Sequence, residues 1–361
     1  MLTVYGLKVS YFTGKLEAYL RYKEIPYDFH ALTGKEFTEV LPAETGAMQM
    51  PAVKLGDGRW MTDTTPMIDW FETQYDAPAI LPDDPVQAFV CKLIEDYADE
   101  WQWRPAMHYR WSYPESSKLL ARQIADAMGR DLKVPSWLIR IRVENRQHKN
   151  FVKKDGVSQT TWDHVEQSYY RLMEFLRMVV KHRSFIFGDR PTLADIGLMG
   201  PLFRHYAMDP KPGIIMREDY PDVMAWVYRV WNARASKIKG ELVSGIPDDV
   251  AQFITEIAET HLEALCANAE AYAAGKKLHD PLIQDVQYRD VPVSQYRVWC
   301  LQRLQEQRLE TSQNARDMLD DLLKENGALE PLLRLKEVES GYAAGANAPF
   351  GQSIPVFESV G

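Results

Sequence analysis

The chain has 361 residues, with 42 Lys and Arg against 51 Asp and Glu, which gives a net charge of −9. A hydrophobic content of 46% excludes a disordered chain, and the length allows two or three domains of roughly 100–200 residues each. The acidic balance argues against nucleic acid as a partner, and the lack of an apolar run of about 18 residues argues against a membrane.

The cysteines and the N-terminus indicate a reducing compartment. Cys91, Cys266 and Cys300 lie far apart, and no C-x-x-C pair is present, which excludes a zinc ribbon and a local dithiol. The chain does not begin with a basic region followed by an apolar stretch, so we expect a cytoplasmic location. The eight histidines are scattered without metal-ligand spacing, so no metal is expected.

The first 80 residues have the pattern of an α/β unit in the order β-α-β, a loop, then β-β-α. Alternating apolar residues predict strands, apolar residues at helical spacing predict helices, and Asp57-Gly58 is a hairpin turn signal. The predicted segments are residues 2–5 (strand), 11–23 (helix), 26–30 (strand), 51–61 (hairpin) and 64–74 (helix).

The remaining sequence is predicted to be helical. Three prolines within residues 77–85 mark a linker, and Thr192 with Asp195 forms a capping signal before an apolar run. Further helices are expected after residue 240, including one pattern over 293–326, and residues 340–361 read as an irregular tail that is either draped over the body or mobile. We therefore predict domains at 1–78, 85–240 and 241–361.

Three local features of the first unit can carry chemistry. Ser10 falls where the first helix begins, and a helix N-terminus attracts anions, so a bound thiol beside this hydroxyl would ionise more easily. Met50-Pro51 precedes the hairpin, where a cis bond would turn the backbone of Met50 toward a ligand. Asp63-Thr64 starts the next helix, where free N–H groups can hold a carboxylate and Asp63 an ammonium. Each feature alone also has an ordinary structural explanation as a cap or an edge proline.

Taken together, the three features resemble the glutathione S-transferase superfamily. Residues 9–16 resemble the serine/cysteine-type opening, residues 48–51 the segment that carries the cis-proline, and residues 187–195 the capping-box motif of the helical domain. The chain departs from the family pattern at Tyr11 and at Gln49. The resemblance implies an α/β thioredoxin-like N-terminal domain followed by an all-α helical domain, here with a helical C-terminal extension.

The resemblance also implies roles for individual residues. Ser10 takes the catalytic position, Gln49 faces the glycyl carboxylate of glutathione, and Asp63 with Thr64 holds the γ-glutamyl end. The residues expected to bind glutathione are Thr13, Gln49, Met50, Pro51, Asp63 and Thr64. Trp103, Met107, Tyr109 and Trp111 are candidates for the wall of a hydrophobic substrate, although they could instead be core residues.

The resulting expectation is a homodimeric glutathione transferase with a detoxification role, in which glutathione is the co-substrate and brings the reactive sulfur. A second possibility keeps the site and changes the reaction to that of a glutathione-dependent lyase, such as an etherase, a dehalogenase or an isomerase. A third is a non-catalytic binding or scaffold protein, which the departures at Tyr11 and Gln49 and the extension of about 120 residues favour.

Overall fold

The computed structural model describes residues 1–75, 77–336, 339–342, 348–351 and 353–354. Its N-terminal part is a four-stranded mixed sheet with three helices. The elements are β1 Leu2–Gly6, α1 Tyr11–Tyr22, β2 Tyr27–Ala31, α2 Leu41–Thr45, β3 Ala52–Lys54, β4 Trp60–Thr62 and α3 Thr64–Gln74. The predicted order of strands and helices is confirmed, except that the expected loop contains a π-helical turn, Glu36–Val40, followed by α2.

The strand pairing brings distant parts of the sequence to one edge of the sheet. The strand order is β2-β1-β3-β4, and β1 pairs parallel with β2 and antiparallel with β3. Tyr5 at the end of β1 is opposite Ala52 at the start of β3, which is in turn opposite Thr62 at the end of β4. The loops after β1, before β3 and after β4 therefore meet at this edge.

Helices dominate the rest of the chain. They are α4 Pro85–Asp96, α5 Trp103–Trp111, α6 Pro114–Met128, α7 Ser136–Gln147, α8 Trp162–His182, α9 Leu193–Pro201, α10 Pro210–Asp219, α11 Pro221–Asn232, α12 Asp248–Ile257, α13 Glu263–Ala273, α14 Gln295–Leu309, α15 Gln313–Glu325 and α16 Leu329–Leu333. None of the helices within the described residues combines the length and the apolar character that a bilayer crossing requires.

The C-terminal extension contains the predicted further helices and, in addition, short strands that the sequence analysis does not predict. Four two-residue strands form two small antiparallel ladders: β5 Leu278–His279 with β8 Val291–Pro292, and β6 Leu282–Ile283 with β7 Val286–Gln287. The helical pattern predicted over 293–326 is divided into α14 and α15. The described parts of the tail lie against the body of the protein, while the remainder of the predicted tail falls outside the described residues.

Helix α9 connects the two halves of the fold because it packs against both α1 and α4. Its N-terminus carries the predicted capping box: the fully buried carboxylate of Asp195 accepts from the backbone N–H of Thr192 at 2.8 Å and from that of Ile186 at 2.9 Å. Both oxygens of Asp195 are thus used. This carboxylate fixes the loop before α9 as well as the helix itself.

The Asp195→Asn variant should lose about 1–2 kcal/mol of unfolding free energy, because an amide leaves one of two buried N–H groups without an acceptor. Urea unfolding at pH 8 measures this effect, since burial raises the pKa of Asp195 to about 6. Asp163→Asn, in the exposed first turn of α8, is the matched control and should change stability by less than about 0.5 kcal/mol. An equal loss in both variants would contradict this role of Asp195.

Buried charges on α1 tie the sheet to the helices. Lys15 is fully buried and pairs with Glu95 and Asp99, while Glu17 pairs with Arg204 at 2.8 Å. Burial alone would lower the pKa of Lys15, but the two carboxylates outweigh it and raise the pKa. The lysine therefore remains charged inside the protein.

Candidate functional site

Ser10 is half-buried and caps α1 at the edge where the three loops meet. Its backbone is extended, with φ −81° and ψ 135°, and its Oγ accepts from the N–H of Thr13 at 3.4 Å. An accepting hydroxyl keeps its own proton, which it can donate to a partner outside the helix. Ser10 thus combines a donor with the positive end of a helix dipole, the setting that stabilises a thiolate.

Thr13, a predicted glutathione-binding residue, is placed differently from the expectation. Its side chain is fully buried against Gly6, where an added Cβ would lie 2.6 Å from the hydroxyl of Thr13. The threonine side chain therefore packs under the loop. Only its backbone N–H takes part in the site, through Ser10.

Tyr11, which departs from the family opening, joins the site to the helical region. Its hydroxyl donates to the carbonyl oxygen of Ala98, and its ring packs edge-on to Trp103 and His205. The ring fits because α9 carries Gly200, where a Cβ would lie 2.6 Å from a ring carbon of Tyr11. The lack of a side chain at Gly200 of α9 thus leaves space for the large ring of Tyr11 beside Ser10.

The loop before β3 presents Gln49 and Met50 at the same edge. The Met50–Pro51 peptide bond is cis, Met50 is half-buried and Pro51 is buried. The Gln49 Nε2 atom is 3.0 Å from the Oγ of Ser353 and 3.5 Å from the Oγ1 of Thr62. A residue near the C-terminus therefore reaches the predicted glutathione-binding glutamine.

Asp63 and Thr64 lie where β4 gives way to α3. Asp63 has φ +73°, an uncommon conformation for a residue with a side chain, and precedes the helix N-terminus. Removal of its carboxyl group from water raises the pKa of Asp63 to about 6, even though Tyr296 donates a hydrogen bond to Oδ2 at 3.0 Å. The N–H groups of Thr64 and Thr65 belong to the first turn, which has no intrahelical acceptors for them.

Helix α14 contributes side chains to this site that the sequence does not predict. Tyr296 donates a hydrogen bond to Asp63, and about two helical turns later Arg303 pairs with Asp69 of α3 at 2.9 Å. The helical spacing of these residues is visible in the sequence, but their partners are more than 230 positions away. No local pattern could have assigned them to this site.

The predicted substrate wall separates into two faces of α5. The ring of Trp103 stacks on that of Phe12, with centroids 5.6 Å apart, and Met107 and Trp111 follow at spacings of four on the same face. Tyr109 is fully buried with its ring against Tyr169 and Tyr206. The structure places Tyr109 in the helical core, so we leave it out of the proposed wall.

Arg110, also on α5, is hydrogen-bonded to the loop that precedes Ser10. Its guanidinium forms a bidentate pair with Asp209, at 2.7 and 2.9 Å, and donates to the carbonyl oxygen of Val9 at 2.7 Å. Both charged side chains are buried. Burial raises the pKa of Asp209, although the arginine opposes this shift. No local sequence signal distinguishes this arginine, because its partner Asp209 lies 99 positions further along the chain.

Two family models match separate parts of the chain. A family model described as the glutathione S-transferase N-terminal domain matches residues 4–79, and one described as the glutathione S-transferase C-terminal domain matches residues 148–233. No curated protein matches the chain.

The solved structures that are similar to this chain include the following three. A glutathione S-transferase from Rhodospirillum rubrum is 20% identical, with 69% of this chain and 98% of that chain covered and a TM-score of 0.42. A beta-etherase from Sphingobium is 17% identical (65% and 97% covered, TM-score 0.46), and human glutathione transferase theta-2 in complex with glutathione is 16% identical (64% and 81%, TM-score 0.41). The two family matches show that the part of the chain with the sheet, residues 4–79, and the helical part over residues 148–233 belong to the glutathione S-transferase superfamily.

Proposed function

We propose that the protein is a glutathione transferase in which Ser10 activates the glutathione thiol for attack on a hydrophobic electrophile. The observation that supports it is the position of the Ser10 hydroxyl, half-exposed at the start of α1, on the same sheet edge as Gln49, Asp63 and the N-terminus of α3. In this arrangement one end of a peptide ligand meets Asp63 and the other meets Gln49, with the sulfur near Ser10.

Each of these residues has a distinct task in the proposed mechanism. Asp63 attracts the ammonium of the γ-glutamyl end, and the N–H groups of Thr64 and Thr65 hold its carboxylate. Met50 offers its backbone to the peptide, next to the cis-proline Pro51. These contacts orient the sulfur, so that much of the rate comes from holding two reactants together.

Ser10 lowers the cost of ionising the bound thiol. A thiol with a pKa near 8.5 is only a few per cent ionised at pH 7, and a decrease by one or two units raises the thiolate several-fold. The hydroxyl donates to the sulfur, and the dipole of α1 adds to the stabilisation. The thiolate then forms a bond to the electrophilic carbon as the leaving group departs with its electron pair.

The electrophile is expected to be apolar or aromatic, because Trp103, Met107 and Trp111 share one face of α5 and Trp103 stacks on Phe12. Product analysis over a panel of halides, epoxides, aryl ethers and isomerisable substrates decides whether the sulfur stays on the product. A thioether product supports transfer of the sulfur, whether a halide or an ether oxygen leaves. Oxidised glutathione together with a reduced substrate indicates a reductive cleavage that uses two glutathione molecules, and unchanged glutathione indicates an isomerase.

Glutathione binding is the first experiment. A ligand at a hundredfold excess over its Kd stabilises the native state by about 2.7 kcal/mol, which should raise the melting temperature by several degrees. The melting temperature of the full chain is measured with millimolar glutathione, with S-methylglutathione and with no ligand. No increase with either ligand would overturn the proposal.

A second candidate function is a non-catalytic binding protein, and one observation favours it. The side chain of Gln49 is already bonded to Ser353 of the same chain. This reading predicts no thermal stabilisation by glutathione and no turnover with any electrophile, so the same titration separates the two functions.

The pH dependence of glutathione affinity tests the role of Asp63. Affinity should fall as the pH drops through about 6, because protonation of Asp63 removes the negative charge that faces the ammonium. In Tyr296→Phe the charged form of Asp63 loses a hydrogen bond, so the midpoint should move to higher pH. Isothermal titration between pH 5 and 8 measures both midpoints, and Tyr288→Phe serves as the control. A profile without a decrease would contradict the contact.

The family resemblance also predicts a homodimer in the cytoplasm. Sedimentation equilibrium of the full chain tests the dimer directly, since the monomer has a mass of 41.6 kDa. A single species at that mass would contradict this prediction.

A further inference from the structure

The C-terminal strap, defined here as residues 348–351 and 353–354, crosses the edge of the sheet that carries the candidate site. The carbonyl oxygen of Pro349 accepts from the N–H of Thr62 at 3.4 Å, and the N–H of Ser353 donates to the carbonyl oxygen of Thr45 at 3.0 Å. The hydroxyl of Ser353 accepts from the side chain of Gln49 at 3.0 Å. The strap thus runs from the end of β4 to the loop before β3.

Aromatic contacts hold the strap in place. The ring of Phe350 meets that of Trp70 edge-on, with centroids 5.3 Å apart, and the guanidinium of Arg59 lies 4.4 Å from the ring centre of Phe350. Tyr342 packs against Trp299 of α14. Burial raises the pKa of Tyr342, although its hydrogen bond with Ser353 opposes this shift. The strap is therefore anchored on α3, on the β3–β4 hairpin and near α14.

Among the described residues of the strap, a side-chain hydrogen bond to a predicted glutathione-binding residue is made to Gln49, and none is made to Asp63. The strap's hydrogen bonds fall on Thr45, Gln49 and Thr62, whereas Asp63 is bonded by Tyr296 from α14. The amide nitrogen of Gln49 has two protons, and both have acceptors, in Ser353 and Thr62. A carboxylate can reach the Gln49 amide only after Ser353 has left it.

We propose that the C-terminal strap occupies the place of the glycyl end of glutathione and is displaced from Gln49 when glutathione binds. This inference rests on the proposed function, because it uses the orientation in which Asp63 holds the γ-glutamyl end. The strap opposes a tripeptide that reaches Gln49. The strap does not oppose the binding of γ-glutamylcysteine. This dipeptide has the same γ-glutamyl and thiol groups as glutathione but lacks the glycine that would reach Gln49.

The size of the effect follows from the population of the displaced strap. If the strap is displaced in about one molecule in ten, the apparent Kd for glutathione is about tenfold above that of the open site. Loosening the strap should remove this factor. The Kd for γ-glutamylcysteine should remain within about twofold.

The experiment compares two full-length double variants by isothermal titration with both ligands. Phe350→Ala/Ser353→Ala removes the aromatic anchor and the acceptor of Gln49. The control Tyr228→Ala/Ser158→Ala removes an aromatic ring and a serine hydroxyl from exposed positions on α11 and before α8. The strap variant should bind glutathione about tenfold more tightly than the unmodified chain, and the control variant should bind like the unmodified chain.

A second measurement follows the strap itself in the unmodified protein. The amide of Ser353, which donates to Thr45, should exchange its hydrogen faster when glutathione is bound and at an unchanged rate with γ-glutamylcysteine. Glutathione binding by the strap variant that is equal to or weaker than that of the unmodified chain would overturn the proposal, because the strap would then not compete with glutathione. Slower exchange at Ser353 with glutathione would also overturn it, because the strap would then close over the bound ligand. If γ-glutamylcysteine and glutathione both fail to bind any of the proteins, the proposed function itself is wrong.

Discussion

Replacement of Ser10 by alanine is expected to reduce turnover about 100-fold, the usual effect of removing one donor from a developing or stabilised anion. The pKa of bound glutathione should rise toward that of the free thiol. Turnover under saturating glutathione and the thiolate absorbance of the binary complex measure the two effects. In the proposed arrangement the two ends of glutathione are held by Gln49, Asp63 and the N-terminus of α3, so affinity for glutathione should change little.

The variants that accompany Ser10→Ala distinguish catalysis from capping. Loss of the cap alone costs about 1 kcal/mol of stability, which urea unfolding detects. Ser10→Thr retains both the cap and the hydroxyl and should keep most of the turnover. Ser10→Asp retains a capping oxygen at neutral pH but has no proton to donate, so it should be as impaired as the alanine variant. Full turnover in Ser10→Ala would remove this serine from the mechanism.

The second large effect is expected at the buried pair of Arg110 and Asp209. Arg110→Met should cost about 3–5 kcal/mol of unfolding free energy, because it leaves a carboxylate buried without its partner. Asp209→Asn should cost a similar amount, because it leaves the buried guanidinium of Arg110, which cannot release its proton, without a carboxylate partner. The double variant Arg110→Met/Asp209→Leu should recover much of the loss, because no charge remains buried.

The same variants test whether Arg110 positions the Ser10 loop. The guanidinium donates to the carbonyl oxygen of Val9, one residue before Ser10. In the double variant, stability returns while this hydrogen bond does not, so turnover should stay several-fold low with an unchanged KM for glutathione. Recovery of both stability and turnover would reduce Arg110 to a purely structural role.

The sequence predicts well those elements that are determined by local pattern. The helix from Thr64 to Gln74 and the strands around Asp57-Gly58 follow from capping, periodicity and turn chemistry, all of which act within a few residues. The helical spacing within α5 also excludes Tyr109 from the substrate wall. Tyr109 lies about 200° around the helix axis from Met107, so the two side chains cannot line the same wall.

The parts that the sequence could not predict depend on partners far along the chain. Arg110 forms an ion pair with Asp209, which is 99 positions away in the sequence, and Gln49 donates a hydrogen bond to Ser353, which is 304 positions away. A serine near a C-terminus carries no local sign of such a contact. The two small ladders of β5 to β8 are also missed, because strands of two residues have no periodicity to detect.

The buried charges of α1 have a consequence for synthesis of the protein on the ribosome. Lys15 and Glu17 leave the ribosome early, but Glu95, Asp99 and Arg204, which neutralise them, follow 80 to 187 residues later. Until these partners emerge, Lys15 lacks both of its carboxylate partners and Glu17 has Lys8 but not Arg204, so the N-terminal sheet lacks ion pairs that stabilise it in the complete chain. The nascent N-terminal part should therefore stay incompletely folded, and dependent on chaperones, until most of the helical region has been translated.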